Sequence, residues 1–128
     1  MVIDTHVFLW YINNAHDLPS HIKDLMASQP ENIYVPSICF WELMFLHEKG
    51  RLRFNRVDPK IYLRENLLRT GFQEITLTLE MAMLSRTLPF AHGDPADRFI
   101  AATANAMNMP LITYDQKLIE LPWLKTIS

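Results

Sequence analysis

Short apolar runs alternate along the chain with longer stretches of helical periodicity. The runs that predict strands are rich in β-branched, aliphatic and aromatic residues, and they lie at residues 2–3, 33–35, 72–77 and 111–114. A helical segment follows each run, so consecutive strands have to be joined by crossovers. This order favours a three-layer α/β/α fold, in which helices cover both faces of a central, mostly parallel, twisted sheet.

Capping residues predict where the helices begin and end. Asp58-Pro59 and Asp94-Pro95 each combine an aspartate N-cap with a proline at the first helical position. The alanine-rich segment after Asp94-Pro95 is predicted to be helical up to a point before Pro110. Further N-caps are predicted at Ser20 and Thr78, and helix ends at Gly50 and Gly71.

The composition fits one domain over residues 1–128. Of the 128 residues, 49% are hydrophobic, which is enough for a packed core. The longest apolar runs are too short to span a membrane, and the first residues lack the pattern of an export signal. Cys39 is the only cysteine, so no internal disulfide can form. We therefore expect a cytoplasmic protein.

Positive charge is concentrated in one segment, residues 49–69, which we call the basic strip. It holds seven lysines and arginines against two acids, a net of +5, and leaves −7 for the rest of the chain. Such a strip can follow a phosphate backbone, with Arg51 and Arg53 as candidate RNA-binding residues. On charge alone, a solvated helix face is the preferred interpretation.

Two aspartates stand directly after predicted strands. Asp4 follows the first strand and Asp115 follows the last one that the pattern predicts. Ligands of parallel α/β sheets bind outside the carboxyl ends of the strands, which is where both carboxylates are expected. Each residue has a structural explanation as well, because an aspartate after a strand often caps the next helix.

Glu42 is the one charged residue in the strongly apolar segment 37–46. A helix that is apolar nearly all round is buried, and an ionised glutamate on it is costly unless it is paired or binds a metal. The side chain could instead reach solvent at an edge or pair with an arginine. The segment by itself leaves these alternatives open.

Asp94 and Asp97 have different explanations although they lie three residues apart. For Asp94, the N-cap role is sufficient. Asp97 shares a helix face with Ala101 and Ala104, whose small side chains allow close packing against the sheet. Close packing would bring Asp97 towards the strand ends, so a functional role is favoured for it.

Carboxylates that converge on one sheet edge would repel each other and raise each other's pKa values. A hard divalent cation removes this repulsion, and oxygen ligands suit Mg²⁺ and Mn²⁺. Such ions bind phosphate oxygens and activate water. The chemistry that the acids predict is hydrolysis of a phosphodiester by in-line attack of water.

The assembled motifs resemble the PIN-domain family, and more closely its VapC toxin branch. The matching pieces run in family order from residue 2 to about residue 127, and only their combination is specific. They are Ile3-Asp4-Thr5-His6-Val7-Phe8-Leu9-Trp10, Pro36-Ser37 with Trp41-Glu42-Leu43, His92-Gly93-Asp94-Pro95-Ala96-Asp97-Arg98-Phe99-Ile100-Ala101-Ala102, and Leu111-Ile112-Thr113-Tyr114-Asp115.

The resemblance implies an endoribonuclease that depends on Mg²⁺ or Mn²⁺, forms a homodimer, and is bound and inhibited by a cognate antitoxin protein. Its acidic quartet would fall on Asp4, Glu42, Asp97 and Asp115, as catalytic and metal-binding residues. Thr113 would support the metal site, and Asp94 and His92 match features of one toxin branch. Many relatives carry another acid after the last aspartate, whereas Gln116-Lys117 follows here, so one firmly held ion is expected.

Two other functions remain as alternatives. A phosphoacceptor signalling domain also gathers acids at strand ends, but Asp4 stands alone after its strand and no lysine precedes Asp115. A catalytically relict interaction module would keep the fold without the activity. Among the remaining side chains, core packing is the preferred explanation for Cys39, Trp10 and Trp123, although the two tryptophans could stack on bases.

Overall fold

A computed structural model describes residues 1–54, 58–91 and 93–128. Its sheet has five strands in the order β3-β2-β1-β4-β5, and every neighbouring pair is parallel. The strands are β1 (Val2–Ile3), β2 (Tyr34–Pro36), β3 (Gln73–Ile75), β4 (Leu111–Ile112) and β5 (Thr126–Ile127). The first four coincide with predicted runs, and β5 was not predicted. β5 has only two residues, which lie at the sheet edge and are half-buried. The sequence therefore contains no long apolar run that would predict this strand.

Seven helices are found in the described parts of the chain. They are α1 (Thr5–Ile12), α2 (Ser20–Ser28), α3 (Ser37–Glu48), α4 (Pro59–Thr70), α5 (Leu79–Thr87), α6 (Pro95–Ala106) and α7 (Gln116–Ile119). Crossovers between parallel strands are right-handed. Connections that lead from β1 towards β2 and β3 therefore lie on one face of the sheet, and those that lead towards β4 and β5 lie on the other face. The predicted three-layer α/β fold is confirmed.

Most of the predicted capping residues are found at helix ends in the structure. Asp58, Thr78 and Asp94 are N-caps whose side chains accept backbone N–H groups. Gly71 ends α4 in the left-handed conformation, with a φ of +76°. The prediction for Ser20 was wrong by one residue. Pro19 is the N-cap of α2, because its carbonyl already accepts the N–H groups of Ile22 and Lys23.

The core is centred on the middle strands. Val2, Ile3, Leu111 and Ile112 of β1 and β4 are completely buried. The small side chains of Ala101, Ala102 and Ala104 on α6 are also completely buried, so this helix packs closely against its neighbours. Tight packing fixes the position of the residues at the start of α6 relative to the ends of β1 and β4. None of the helices described is long and apolar enough to cross a bilayer.

Candidate functional site

A small cavity of about 100 Å³ lies at the carboxyl edge of the sheet, and we call it the carboxylate pocket. Five acidic side chains line it, together with Thr5, His6 and Ile100; the acids are Asp4, Glu42, Asp94, Asp97 and Asp115. The structure thus brings together all four residues of the predicted acidic quartet. Asp94, which capping alone would explain, lies beside them.

Asp4 is held on both of its carboxylate oxygens. Oδ1 accepts the backbone N–H of Val7 at 2.9 Å, which makes Asp4 the N-cap of α1. Oδ2 accepts a hydrogen bond from the hydroxyl of Thr113. Burial raises the pKa of Asp4, whereas the hydrogen bonds from Thr113 and Val7 oppose that rise. The side chain of Asp4 therefore caps α1 and also lines the carboxylate pocket.

Thr113 connects the ends of β1 and β4. Its side chain is completely buried, and its hydroxyl oxygen also accepts the backbone N–H of Asp115 at 3.1 Å. One hydroxyl therefore sets the position of two of the acidic residues. This geometry suits the supporting role that the family resemblance implies for Thr113.

Asp94 and Asp115 also cap helices, as their structural explanations predict. Oδ1 of Asp115 accepts the N–H of Lys117 at 2.9 Å at the start of α7. Oδ1 of Asp94 accepts the N–H of Asp97 at 3.2 Å at the start of α6. Each cap engages one of the two carboxylate oxygens. Capping is thus compatible with binding a cation through the other oxygen.

Glu42 and Asp97 reach the pocket from helices α3 and α6. Both side chains are half-buried. The pKa of Asp97 is raised to about 7, first by burial and then by the negative charges of Asp94, Asp115, Glu42 and Asp4. The direction and size of this shift reflect how unfavourable another negative charge is in this space.

The chemistry of these donors fits Mg²⁺ or Mn²⁺. All five acids offer oxygen ligands, and a divalent cation would offset the repulsion that raises the pKa of Asp97. Among the described residues, however, no three acidic, histidine or cysteine side chains are already arranged to hold a metal ion. The carboxylates share a pocket without forming a finished coordination site, so a cation would have to draw them inwards.

Two further side chains near the pocket differ in what they offer. Thr5 was not predicted as a site residue, yet it lines the pocket and its buried hydroxyl has no hydrogen-bond partner within the described chain. Its signal in the sequence was its position directly after Asp4. Cys39 is completely buried, and burial raises the pKa of its thiol, so it packs in the core as predicted and is no nucleophile.

The basic strip does not reach the carboxylate pocket in the described structure. Arg51 and Arg53 are exposed, as a backbone-binding or a solvated surface would require. Lys60 and Arg64 border a cavity of about 270 Å³ between α3 and α4, which we call the α3–α4 groove; its apolar lining is Phe40, Met44, Leu63 and Leu67. Arg56 and His92 lie outside the described residues.

Sequence comparison agrees with this geometry. A protein-family model for the PIN domain matches residues 1–124. Ribonuclease VapC22 from Mycobacterium tuberculosis (strain ATCC 25618 / H37Rv) is 28% identical over 119 residues, which are 92% of this chain and 88% of that protein.

Structural comparison gives the same fold. A chain in the crystal structure of VapBC2 from Rickettsia felis, bound to a promoter DNA fragment, matches with a TM-score of 0.70 and 20% identity, over 98% of this chain and 96% of that one. A chain of DNA-bound VapBC from Salmonella typhimurium matches with a TM-score of 0.71 and 17% identity, over 98% and 95%. The resemblance seen in the motifs is confirmed: the chain belongs to the PIN domain family.

Proposed function

We propose that this protein is a metal-dependent endoribonuclease and the toxin of a toxin–antitoxin pair. The observation that carries the proposal is the convergence of five carboxylates on one small pocket at the carboxyl edge of the sheet. The similarity to a protein named Ribonuclease VapC22 supports RNA as the substrate. The likeness to chains of VapBC complexes supports the toxin assignment.

In this mechanism, the carboxylates of Asp4, Glu42, Asp97 and Asp115 would hold Mg²⁺ or Mn²⁺. When bound, the ion neutralises charge on the phosphate and lowers the pKa of water. Burial and the neighbouring acids raise the pKa of Asp97, and the positive charge of a bound cation would favour its ionised carboxylate.

The residues around the quartet orient it. Thr113 fixes Asp4 by donating to Oδ2, and it fixes the backbone of Asp115 by accepting its N–H. Asp94 keeps the start of α6, and with it Asp97, in place. Because Gln116 and Lys117 offer no carboxylate after Asp115, we propose one firmly held ion and a second that binds only with the RNA.

Exposed apolar side chains support protein partners. Trp41 and Phe45 stack on the surface of α3 with ring centroids 5.5 Å apart, and Trp41 is 54% exposed. Leu79 and Met83 on α5 are 76% and 50% exposed. Surfaces of this kind mark interfaces, and we assign them to a homodimer and to a cognate antitoxin. A cytoplasmic location belongs to the same proposal.

The deciding experiment measures RNA cleavage by the purified protein and by Asp97→Asn. Wild type should cleave RNA with Mg²⁺ or Mn²⁺ and stop when the ion is chelated, and Asp97→Asn should lose the metal-dependent rate while its circular dichroism is unchanged. Expression of wild type should arrest growth, and replacing any one of the four acids of the quartet by its amide should relieve the arrest. Equal cleavage by the variant would contradict the assignment. A folded wild type without cleavage would point to a relict interaction module.

A further inference from the structure

A second cavity of about 300 Å³ adjoins the carboxylate pocket, and we call it the aromatic pocket. Asp4, His6 and Asp115 line both cavities, and Trp10 and Tyr114 complete the second one. The two cavities are therefore contiguous. Whatever binds in the aromatic pocket lies next to the place where we expect the cation and the phosphate.

The walls of this pocket are three aromatic rings. His6 and Trp10 lie one turn apart on α1, and Tyr114 stands between β4 and Asp115. The ring centroids of His6 and Trp10 are 5.9 Å apart and those of Trp10 and Tyr114 are 6.1 Å apart, with interplanar angles of 51° in both pairs. Tilted rings at this spacing do not cover each other's faces, in contrast to the stacked pair Trp41–Phe45, whose angle is 11°.

Core packing explains only part of this arrangement. Trp10 and Tyr114 pack against the core with one side, and both are half-buried rather than buried. The hydroxyl of Tyr114 is inaccessible to solvent and has no hydrogen-bond partner within the described residues. That hydroxyl is closed off from the cavity, so the binding surface is formed by the rings. A cavity bordered by aromatic side chains that the core covers on one side only is typical of a binding site.

We propose that the aromatic pocket binds one nucleobase of the RNA, adjacent to the phosphodiester that lies at the carboxylate pocket. The inference rests on the proposed function and names the part of the substrate that this side of the site takes. Bases are planar and stack on aromatic side chains. A base is also uncharged, so Asp4 and Asp115 do not repel it as they would repel a phosphate without a cation.

The first test compares RNA oligonucleotides that lack the base at one position near the cleaved bond. For wild type, loss of the base that occupies the pocket should lower kcat/KM roughly 5- to 150-fold, the range expected for one stacked base. In Trp10→Leu, which keeps an apolar side chain but removes the ring, this penalty should disappear. Trp10→Phe keeps an aromatic ring, so most of the loss in kcat/KM caused by the missing base should remain. If Trp10→Leu does not fold, the fluorescence test described below decides, because it keeps the native Trp10 ring.

The matched control is Trp123→Leu. Trp123 is also half-buried and packs edge-on against Phe90, but it lines neither pocket. This variant should show the full wild-type penalty. Equal penalties in wild type and Trp10→Leu at every position, or no penalty at any position in wild type, would overturn the base site while leaving the nuclease assignment intact.

A second test separates the two proposals. In a protein with Trp41→Phe and Trp123→Phe, fluorescence comes from Trp10, and adenosine monophosphate should quench it in a saturable manner. Ribose 5-phosphate, which lacks the base, should not. If wild type fails to cleave RNA, the proposed function is wrong. The base site would still be supported if adenosine monophosphate quenched the fluorescence in a saturable manner and ribose 5-phosphate did not. Equal effects of both compounds would overturn it.

Discussion

Two charged regions of this protein show opposite behaviour when the chain folds. The acids of the carboxylate pocket come from distant parts of the sequence and meet in about 100 Å³. The basic strip is continuous in sequence, yet Arg51 and Arg53 are exposed, and Lys60 and Arg64 border a separate groove. The described cations of one continuous segment face solvent or a separate groove, whereas residues at the ends of parallel strands are brought together by the topology. Convergence, and not charge density, distinguishes the site.

The largest expected effect concerns this convergence. Asp115→Asn should lower metal-dependent cleavage on the order of 100-fold or more, because charge stabilisation by a bound metal contributes several kcal/mol. Asparagine also caps helices well, so the stability should change little. The measurement is kcat/KM for RNA cleavage over a Mg²⁺ titration.

Asp58→Asn is the matched control for Asp115→Asn. Asp58 caps α4 through Oδ1, which accepts the N–H of Lys60 at 2.8 Å, in the way that Asp115 caps α7. It lies outside the carboxylate pocket, so its variant should cleave at the wild-type rate. Equal losses in both variants would show that capping, and not the pocket, underlies the effect.

The next effect concerns the hydroxyl that ties two of the acids together. Thr113→Val should raise the Mg²⁺ concentration needed for half-maximal cleavage by about 10- to 100-fold, the usual loss when a residue that orients metal ligands is removed. It should also lower the free energy of unfolding by about 1–3 kcal/mol, since the N–H of Asp115 loses its acceptor. Thr113→Ser restores the hydroxyl and should recover most of the affinity. An unchanged Mg²⁺ dependence in Thr113→Val would remove this residue from the site.

A smaller effect should appear in the pH dependence of stability without metal. The pKa of Asp97 is raised from an ordinary value of 3.8 to about 7. The folded state therefore binds this proton more tightly than the unfolded state, so the contribution of protonated Asp97 to stability is complete below about pH 4 and is lost as the pH rises towards 7. The full shift would correspond to about 4 kcal/mol, but solvent screens a half-buried group, so we expect about 1–2 kcal/mol.

Urea denaturation in chelator at several pH values measures this effect. The free energy of unfolding of Asp97→Asn should vary less with pH than that of wild type over the same range. Mg²⁺ should stabilise wild type most at neutral pH. Parallel curves for wild type and Asp97→Asn would show that the carboxylates do not share one electrostatic environment.

The sequence predicted those parts of the site that depend on local patterns. Asp4 and Asp115 follow strands, and the parallel topology then implies that they meet. Glu42 remained undecided, because its apolar helix is equally compatible with a solvent-exposed edge. Trp10 was assigned to the core, since periodicity shows that a ring is partly buried but not that its free face borders a cavity. The edge strand β5 and the hydroxyl of Thr5 depend on contacts between distant residues, which no local pattern reports.

The smallest effect tests whether the basic strip has any part in the activity. Arg51→Glu with Arg53→Glu should weaken binding of single-stranded RNA and reduce the slope of log K against log salt by about 0.7 for each phosphate that the variant no longer neutralises. The control for net charge is Arg86→Glu with Lys125→Glu, which reverses two exposed cations outside the strip. It changes the net charge by the same amount and should change the slope less. If both variants flatten the slope equally, the strip acts only through the overall charge of the protein. A larger change for Arg51 and Arg53 would instead show that positive charge spread along an exposed surface guides RNA towards the pocket where the acids converge.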